Sequence, residues 1–170
     1  MKVAKILPLV IFAIAFAFVE ATVVVYLREI LSIDAQVGYE QVVNKDQALV
    51  VLPGIAFLSP SIVGRIITDS TILKIEQFRE AATLLVLGSI AFLSGKKLIQ
   101  GVAYFLLAFG IWDIFYYIFL RLTIGWPKSL GDLDIFFLLP VPWVGPIITP
   151  MVISAIMILT SLILLNRKGG

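Results

Sequence analysis

Apolar stretches of about 20 residues or more recur four times along this chain, at roughly residues 6–29, 71–93, 98–122 and 143–165. At a rise of about 1.5 Å per residue, each is long enough to cross the roughly 30 Å of bilayer hydrocarbon. Within hydrocarbon every backbone N–H and C=O must find its partner inside the chain, so such segments fold as helices. A soluble chain of 170 residues, 61% of them hydrophobic, has too little interior to hide them all. The expected fold class is therefore all-α: a single embedded domain, 1–170, built as an up-and-down bundle of four transmembrane helices.

The segments between the helices are polar or broken. An outer loop and interfacial segment is expected over 30–70. Within it, Pro53-Gly54 and Ser59-Pro60 cut the apolar run 48–67 into pieces too short to span, which predicts a pair of short interfacial or re-entrant helices. Ser94-Gly95 ends the second span, and Gly125-Trp126-Pro127 ends the third ahead of an outer loop at 123–142. At the N-terminus, Lys2 and Lys5 precede an apolar run with Ala15-Phe16-Ala17, as in a signal peptide. The run continues through Val25, too long for such a segment, and reads as the first membrane helix.

Charge fixes an orientation. Four spans put residues 1–5, 94–97 and 166–170 on one side, with Lys2, Lys5, Lys96, Lys97, Arg167 and Lys168 and no acid. The positive-inside rule makes that side cytoplasmic, so both termini are expected in the cytoplasm and the acidic loops outside a cytoplasmic-type membrane. A fifth span at 48–67 would place Lys96-Lys97 outside. All 11 acids and the other seven cations then fall in the outer half, a formal charge of −4.

The absence of cysteine and histidine excludes several chemistries. No disulfide, thiolate nucleophile or Ser-His-Asp triad is available, and no haem, iron–sulfur or zinc site is expected from this chain alone. Any acid–base work falls to Asp, Glu, Lys, Arg or Tyr. No Walker loop, GxGxxG or GxSxG occurs, and no basic–aromatic patch suggests nucleic acid. With Val141-Pro142 after Pro140 and no histidine, the chain also lacks the motif residues of membrane-bound carotenoid cyclases and of four-helix sterol isomerases.

Charge inside a membrane helix costs on the order of 2.5–3.5 kcal/mol per residue and by default marks a functional site. Three helices carry such residues. Glu20 and Arg28 share a face of the first. Glu76, Arg79, Glu80 and Thr83 form one stripe on the second. Asp113, Tyr117 and Arg121 form another on the third, with Tyr116 beside them. Counting residues from the helix ends places Glu20, Glu80 and Asp113 at similar depth, with Arg28, Arg79 and Arg121 at that level or further out. The expected arrangement is a funnel open outward. Glu20, Glu80 and Asp113 are the candidate catalytic groups, handling protons or a cation. Arg28, Arg79 and Arg121 would hold anionic groups, and Glu76, Tyr116, Tyr117 and Trp143 complete the candidate ligand-binding set. Glu20 has no near partner on its own helix and most needs a cross-helix partner or a proton.

Trp126 and Trp143 read as an interfacial aromatic belt or, alternatively, as pocket wall. Pro150 is expected inside the fourth helix, freeing a carbonyl. Residues 125–145 and 48–67 together would cover the funnel mouth.

Two functional readings follow. One is a membrane enzyme or transporter whose outward-facing pocket binds a small polar ligand, lipid headgroup or cation. The cytoplasmic halves, such as Leu7–Phe18, Leu84–Leu93 and Met151–Leu165, are almost uniformly apolar, which argues against a channel through one copy. The other is an accessory subunit whose intramembrane charges pair structurally. Its expected partners, besides the lipid bilayer, are further copies of itself or other subunits.

Overall fold

The computed structural model describes residues 3–30, 48–61 and 69–166. Lys2, the side chain of Lys5, the loop expected from Ser32 to Gln47, Arg65 and the basic pair Arg167-Lys168 lie outside the described residues. In chain order the elements are α1 (Val3–Ile30), β1 (Ala48–Leu52), β2 (Ile55–Leu58), α2 (Ser70–Ser94), α3 (Leu98–Ile124), β3 (Leu133–Phe137), β4 (Trp143–Pro146) and α4 (Ile148–Asn166). The protein is mostly helical, and α1, α3 and α4 are long and apolar enough to cross a membrane.

Helix α3 is the centre of the bundle and packs against α1, α2 and α4, whereas α1 and α2 touch only slightly. Small residues make the close approaches. On α1 the buried stripe is Leu9, Ala13, Ala17 and Ala21, one residue per turn. On α3, Gly110 lies so near α4 that a Cβ there would meet the Ser154 carbonyl oxygen at 2.7 Å. Around these contacts Leu87, Ala91, Ala103, Leu107 and Ala108 close the apolar core.

Helix α2 is built inside out. Its buried face is Glu76, Glu80, Thr83, Leu87 and Ala91. Its outward face carries Ile75, Phe78, Leu85 and Leu93, each more than 60% exposed. A helix in water turns the opposite way. Asp69 caps it, its carboxylate accepting from the N–H groups of Thr71 at 2.7 Å and Ile72 at 3.1 Å.

The chain is not all-α. A four-stranded antiparallel sheet of order β1-β2-β4-β3 joins the segment after α1 to the segment after α3. All four strands come from the α1–α2 and α3–α4 connections, so the sheet caps one end of the bundle. The short helices expected over 48–67 are corrected here: residues 48–58 form a hairpin, and 62–67 lie outside the described residues. Pro53-Gly54 is its turn, with Gly54 at φ 78°, a conformation open to glycine. The expected loop 123–142 contains strand β3. The fourth helix begins at Ile148 rather than at Trp143, because residues 143–146 pair with β2 and β3.

The prolines follow from this shift. Pro150 is the third residue of α4, where its N–H would have had no intrahelical partner, so it frees no carbonyl inside the helix. The N–H groups of Ile147 and Ile148 are taken by the carbonyls of Asp132 at 3.0 Å and Leu130 at 2.8 Å.

Candidate functional site

Beneath the sheet, side chains from α1, α2, α3 and β3 converge on a cavity of about 100 Å³. From α1 come Glu20, Val24, Leu27 and Arg28. From α2 come Glu76, Arg79, Glu80 and Thr83, and from α3 Trp112, Asp113, Tyr116 and Tyr117. Asp134, Ile135, Phe136, Phe137 and Leu138 close it from β3 and its continuation. The helical spacing of each stripe puts its polar groups on one face, which lines the cavity.

The charges are interlocked. Arg79 is the bridge: its Nη1 meets the Glu20 carboxylate across helices, and its Nη2 meets Glu76 on its own helix. Its Nε also donates to Glu76 Oε2 at 2.9 Å, so the Glu76 contact is a two-pronged fork. Glu20 thus finds its cross-helix partner. Arg28 lies 3.6 Å from Asp134 Oδ1, and its guanidinium sits 4.0 Å over the Trp126 ring. Tyr117 Oη donates to Asp134 Oδ2 at 2.9 Å. Burial pushes the Asp134 carboxyl up to about 6, against the pull of Arg28 and the Tyr117 hydroxyl.

Two carboxylates stand apart. Glu80 accepts from the Leu138 backbone N–H at 2.8 and 3.0 Å. Asp113 accepts from Ser154 Oγ at 2.7 Å. Both residues are buried and line the cavity, and among the described residues neither has a salt-bridge partner. Trp112 is buried beside them, and its indole N–H has no hydrogen-bond partner among the described residues.

Of the candidate residues read from the sequence, the structure brings Glu20, Arg28, Glu76, Arg79, Glu80, Asp113, Tyr116 and Tyr117 together around this cavity. Arg121 is elsewhere. It is exposed at the end of α3 and donates to the carbonyls of Gly125 at 2.7 Å and Pro127 at 2.8 Å, closing the helix terminus. Trp143 stands on β4, packed edge-on against Phe57 and Phe137, and does not line the cavity. Of the two tryptophans read as a belt, Trp126 is not at the surface. It is 4% exposed, held under Arg28 and against Tyr117.

Asp134 is the residue that sequence reading missed, being assigned to a loop. Its one signal was position: a lone acid between Leu133 and the apolar run 135–139, where exposed loops carry acids in polar company. By contrast Asp132, nearby, is a turn residue. It accepts from Ser129 Oγ at 2.6 Å and Lys128 N at 2.7 Å, and the Ser129 hydroxyl, foremost among these, holds its carboxyl below the usual range. Among the described residues no group of three or more acids is placed to hold a metal ion.

Three apolar spanning-length helices around this buried charge indicate a protein of the membrane. Comparison with protein-family models, curated proteins and solved structures finds no match for this chain.

Proposed function

We propose that this is a four-span membrane protein whose polar cavity binds a small polar ligand or lipid headgroup, as part of an enzyme or a transporter worked from one side of the membrane. The observation that carries this reading is the cavity itself. Charged groups from three helices and a strand line open space of about 100 Å³, and two of them, Glu80 and Asp113, have no salt bridge among the described residues. At about 10–15 Å³ per water on such a measure, it admits several water-sized groups.

The fourth span is α2. Its 25 residues reach about 37 Å at 1.5 Å per residue, and Glu76, Arg79 and Glu80 face the cavity while Ile75, Phe78, Leu85 and Leu93 face outward, Lys74 being exposed near its start. On this topology the sheet lies outside with the acidic loops, and both termini lie inside. Helix α4 has 19 residues, about 28 Å, so nearly all of it is needed to cross. Thr149, its second residue, donates to the Gly54 carbonyl at 2.7 Å, which ties the hairpin turn to the start of α4, the outer end of that helix on this topology.

The accessory-subunit reading accounts for the paired charges but not for Glu80 and Asp113, which line the cavity without a salt bridge among the described residues. Arg79 is engaged by Glu20 and Glu76, and Arg28 by Asp134, all within one chain. Native mass spectrometry of protein released gently from its own membrane tests the choice. A discrete small mass on the monomer is expected. A stable heteromer with nothing small bound overturns the pocket reading.

A further inference from the structure

We infer that the ligand of this pocket carries an organic ammonium group with an oxygen acceptor a few atoms away, the chemistry of an amino alcohol, free or as a phospholipid headgroup. The inference rests on the pocket reading above and names what the pocket takes.

The first observation is the balance of charge. Five carboxylates line the cavity, Glu20, Glu76, Glu80, Asp113 and Asp134, against two guanidiniums, Arg28 and Arg79; two against five is −3. Both guanidiniums are held, Arg79 by Glu20 and Glu76 and Arg28 by Asp134 and the Trp126 face. An anionic ligand would have to pull one of them from its carboxylate. The hydrogen-bond donors to Glu80 and Asp113 are neutral, backbone N–H groups and a serine hydroxyl, and the Arg79 charge that reaches Glu80 is already shared by Glu20 and Glu76. Buried carboxylates in low dielectric call for a cation or a proton.

The second observation concerns the walls. Trp112 and Tyr116 stack with ring centroids 6.0 Å apart, and Phe137 joins them on the lining. Aromatic faces beside carboxylates are the recognised environment for ammonium groups. A bare divalent ion would want more oxygen ligands than are clustered here among the described residues.

The third observation is independent of charge. Trp112 is 6% exposed, lines the cavity and buries its indole N–H without a partner among the described residues. A buried donor left unmade costs about 1–3 kcal/mol. The N–H is closed to a water molecule, so a ligand oxygen supplies what it lacks once the indole ring shifts toward it, and a purely hydrocarbon ammonium does not.

The test uses the full chain in phosphatidylglycerol nanodiscs. Ethanolamine, tetramethylammonium, glycerol and glycerol phosphate are titrated separately while tryptophan fluorescence and thermal unfolding are followed. In a second arm phosphatidylethanolamine is added to the lipid. Ethanolamine or phosphatidylethanolamine is expected to stabilise the protein where glycerol does not, and the arm that responds identifies the source. Glu80→Gln and Asp113→Asn keep the hydrogen-bond geometry and are expected to weaken that binding about tenfold or more. Trp112→Phe keeps an aromatic face and is expected to weaken ethanolamine but not tetramethylammonium. Glycerol phosphate binding as well as ethanolamine, with no loss in Glu80→Gln or Asp113→Asn, overturns the ammonium assignment and leaves the pocket. No response to any probe in either arm overturns both.

Discussion

Arg79 of α2 meets Glu20 of α1 across 59 positions of sequence, and this contact joins two helices that otherwise barely touch. With Glu76 completing the group, one guanidinium serves two carboxylates at the edge of the cavity. Each carboxylate alone would be a costly occupant of a helix in lipid.

Removing the bridge should therefore be worse than removing the whole group. Arg79→Met leaves Glu20 and Glu76 buried without their cation and is expected to destabilise by about 3–5 kcal/mol. Arg79→Lys should recover only part, because an ammonium cannot reproduce the fork to Glu76. The triple change Glu20→Gln, Glu76→Gln, Arg79→Met should lie closer to the parent than Arg79→Met alone. Thermal unfolding in detergent, followed by circular dichroism, ranks the three.

Among the described residues the hydroxyl of Tyr117 makes one hydrogen bond, to Asp134. Tyr117→Phe keeps the ring contacts with Trp126 and Tyr116 and is expected to cost about 1–3 kcal/mol. In Asp134→Asn background the same change should cost less, and a double-mutant cycle measures the difference.

Asp134 also predicts a pH dependence. It faces Arg28 and Tyr117, with Asp113 within electrostatic reach, and its folded pKa of about 6 lies above its ordinary 3.8. The folded state thus holds this proton more tightly, and between about 4 and 6 the unfolded chain binds fewer protons. Stability from this group falls as pH rises through that window and is level above it. Asp134→Asn should flatten that part of the curve of melting temperature against pH. An unchanged slope would count against the assignment.

Two glycines give a paired prediction. Gly110→Ala sets a methyl 2.7 Å from the Ser154 carbonyl oxygen, forcing α3 and α4 apart at an expected cost of about 1–3 kcal/mol. Because Ser154 also donates to Asp113, ligand stabilisation should weaken with it. At Gly88 nothing lies within 4 Å of the added methyl, so Gly88→Ala should be neutral or slightly stabilising.

The hairpin supplies a test of topology. Leu49, Val50, Val51 and Leu52 are each at least half exposed on edge strand β1, and their turn is tied to Thr149. A Val51→Trp side chain should be quenched by lipids brominated near the headgroup more than by lipids brominated near the chain ends. Equal quenching by neither would place the sheet away from the membrane surface.

The helices were legible because their signal is local. Their expected limits agree with α1, α2 and α3 to within three residues at each end, and the stripes Glu76-Arg79-Glu80-Thr83 and Asp113-Tyr117 gave the faces that meet. Residues 48–58 were not legible, since both strands are continuously apolar and lack the alternation that marks a strand with one wet face. Pro53-Gly54 was read as a break between short helices, though the same pair makes a hairpin turn. Glu80 binds a backbone N–H, and a peptide group at residue 138 looks like any other in sequence. Arg121 was drawn into the site by its spacing from Asp113 and Tyr117, but its long side chain turned to the helix terminus instead.

The inverted face of α2 bears on how the protein is made. If α2 spans as proposed, the four charged residues within its first 11 positions, Lys74, Glu76, Arg79 and Glu80, are too many for insertion on its own merits. A three-residue turn, 95–97, ties it to the apolar α3, and Glu20 waits on a helix synthesised earlier. Entry as half of a helical hairpin, beside an α1 already in place, would let Arg79 meet Glu20 as it leaves water. The order of synthesis is then itself part of what makes the charged helix tolerable.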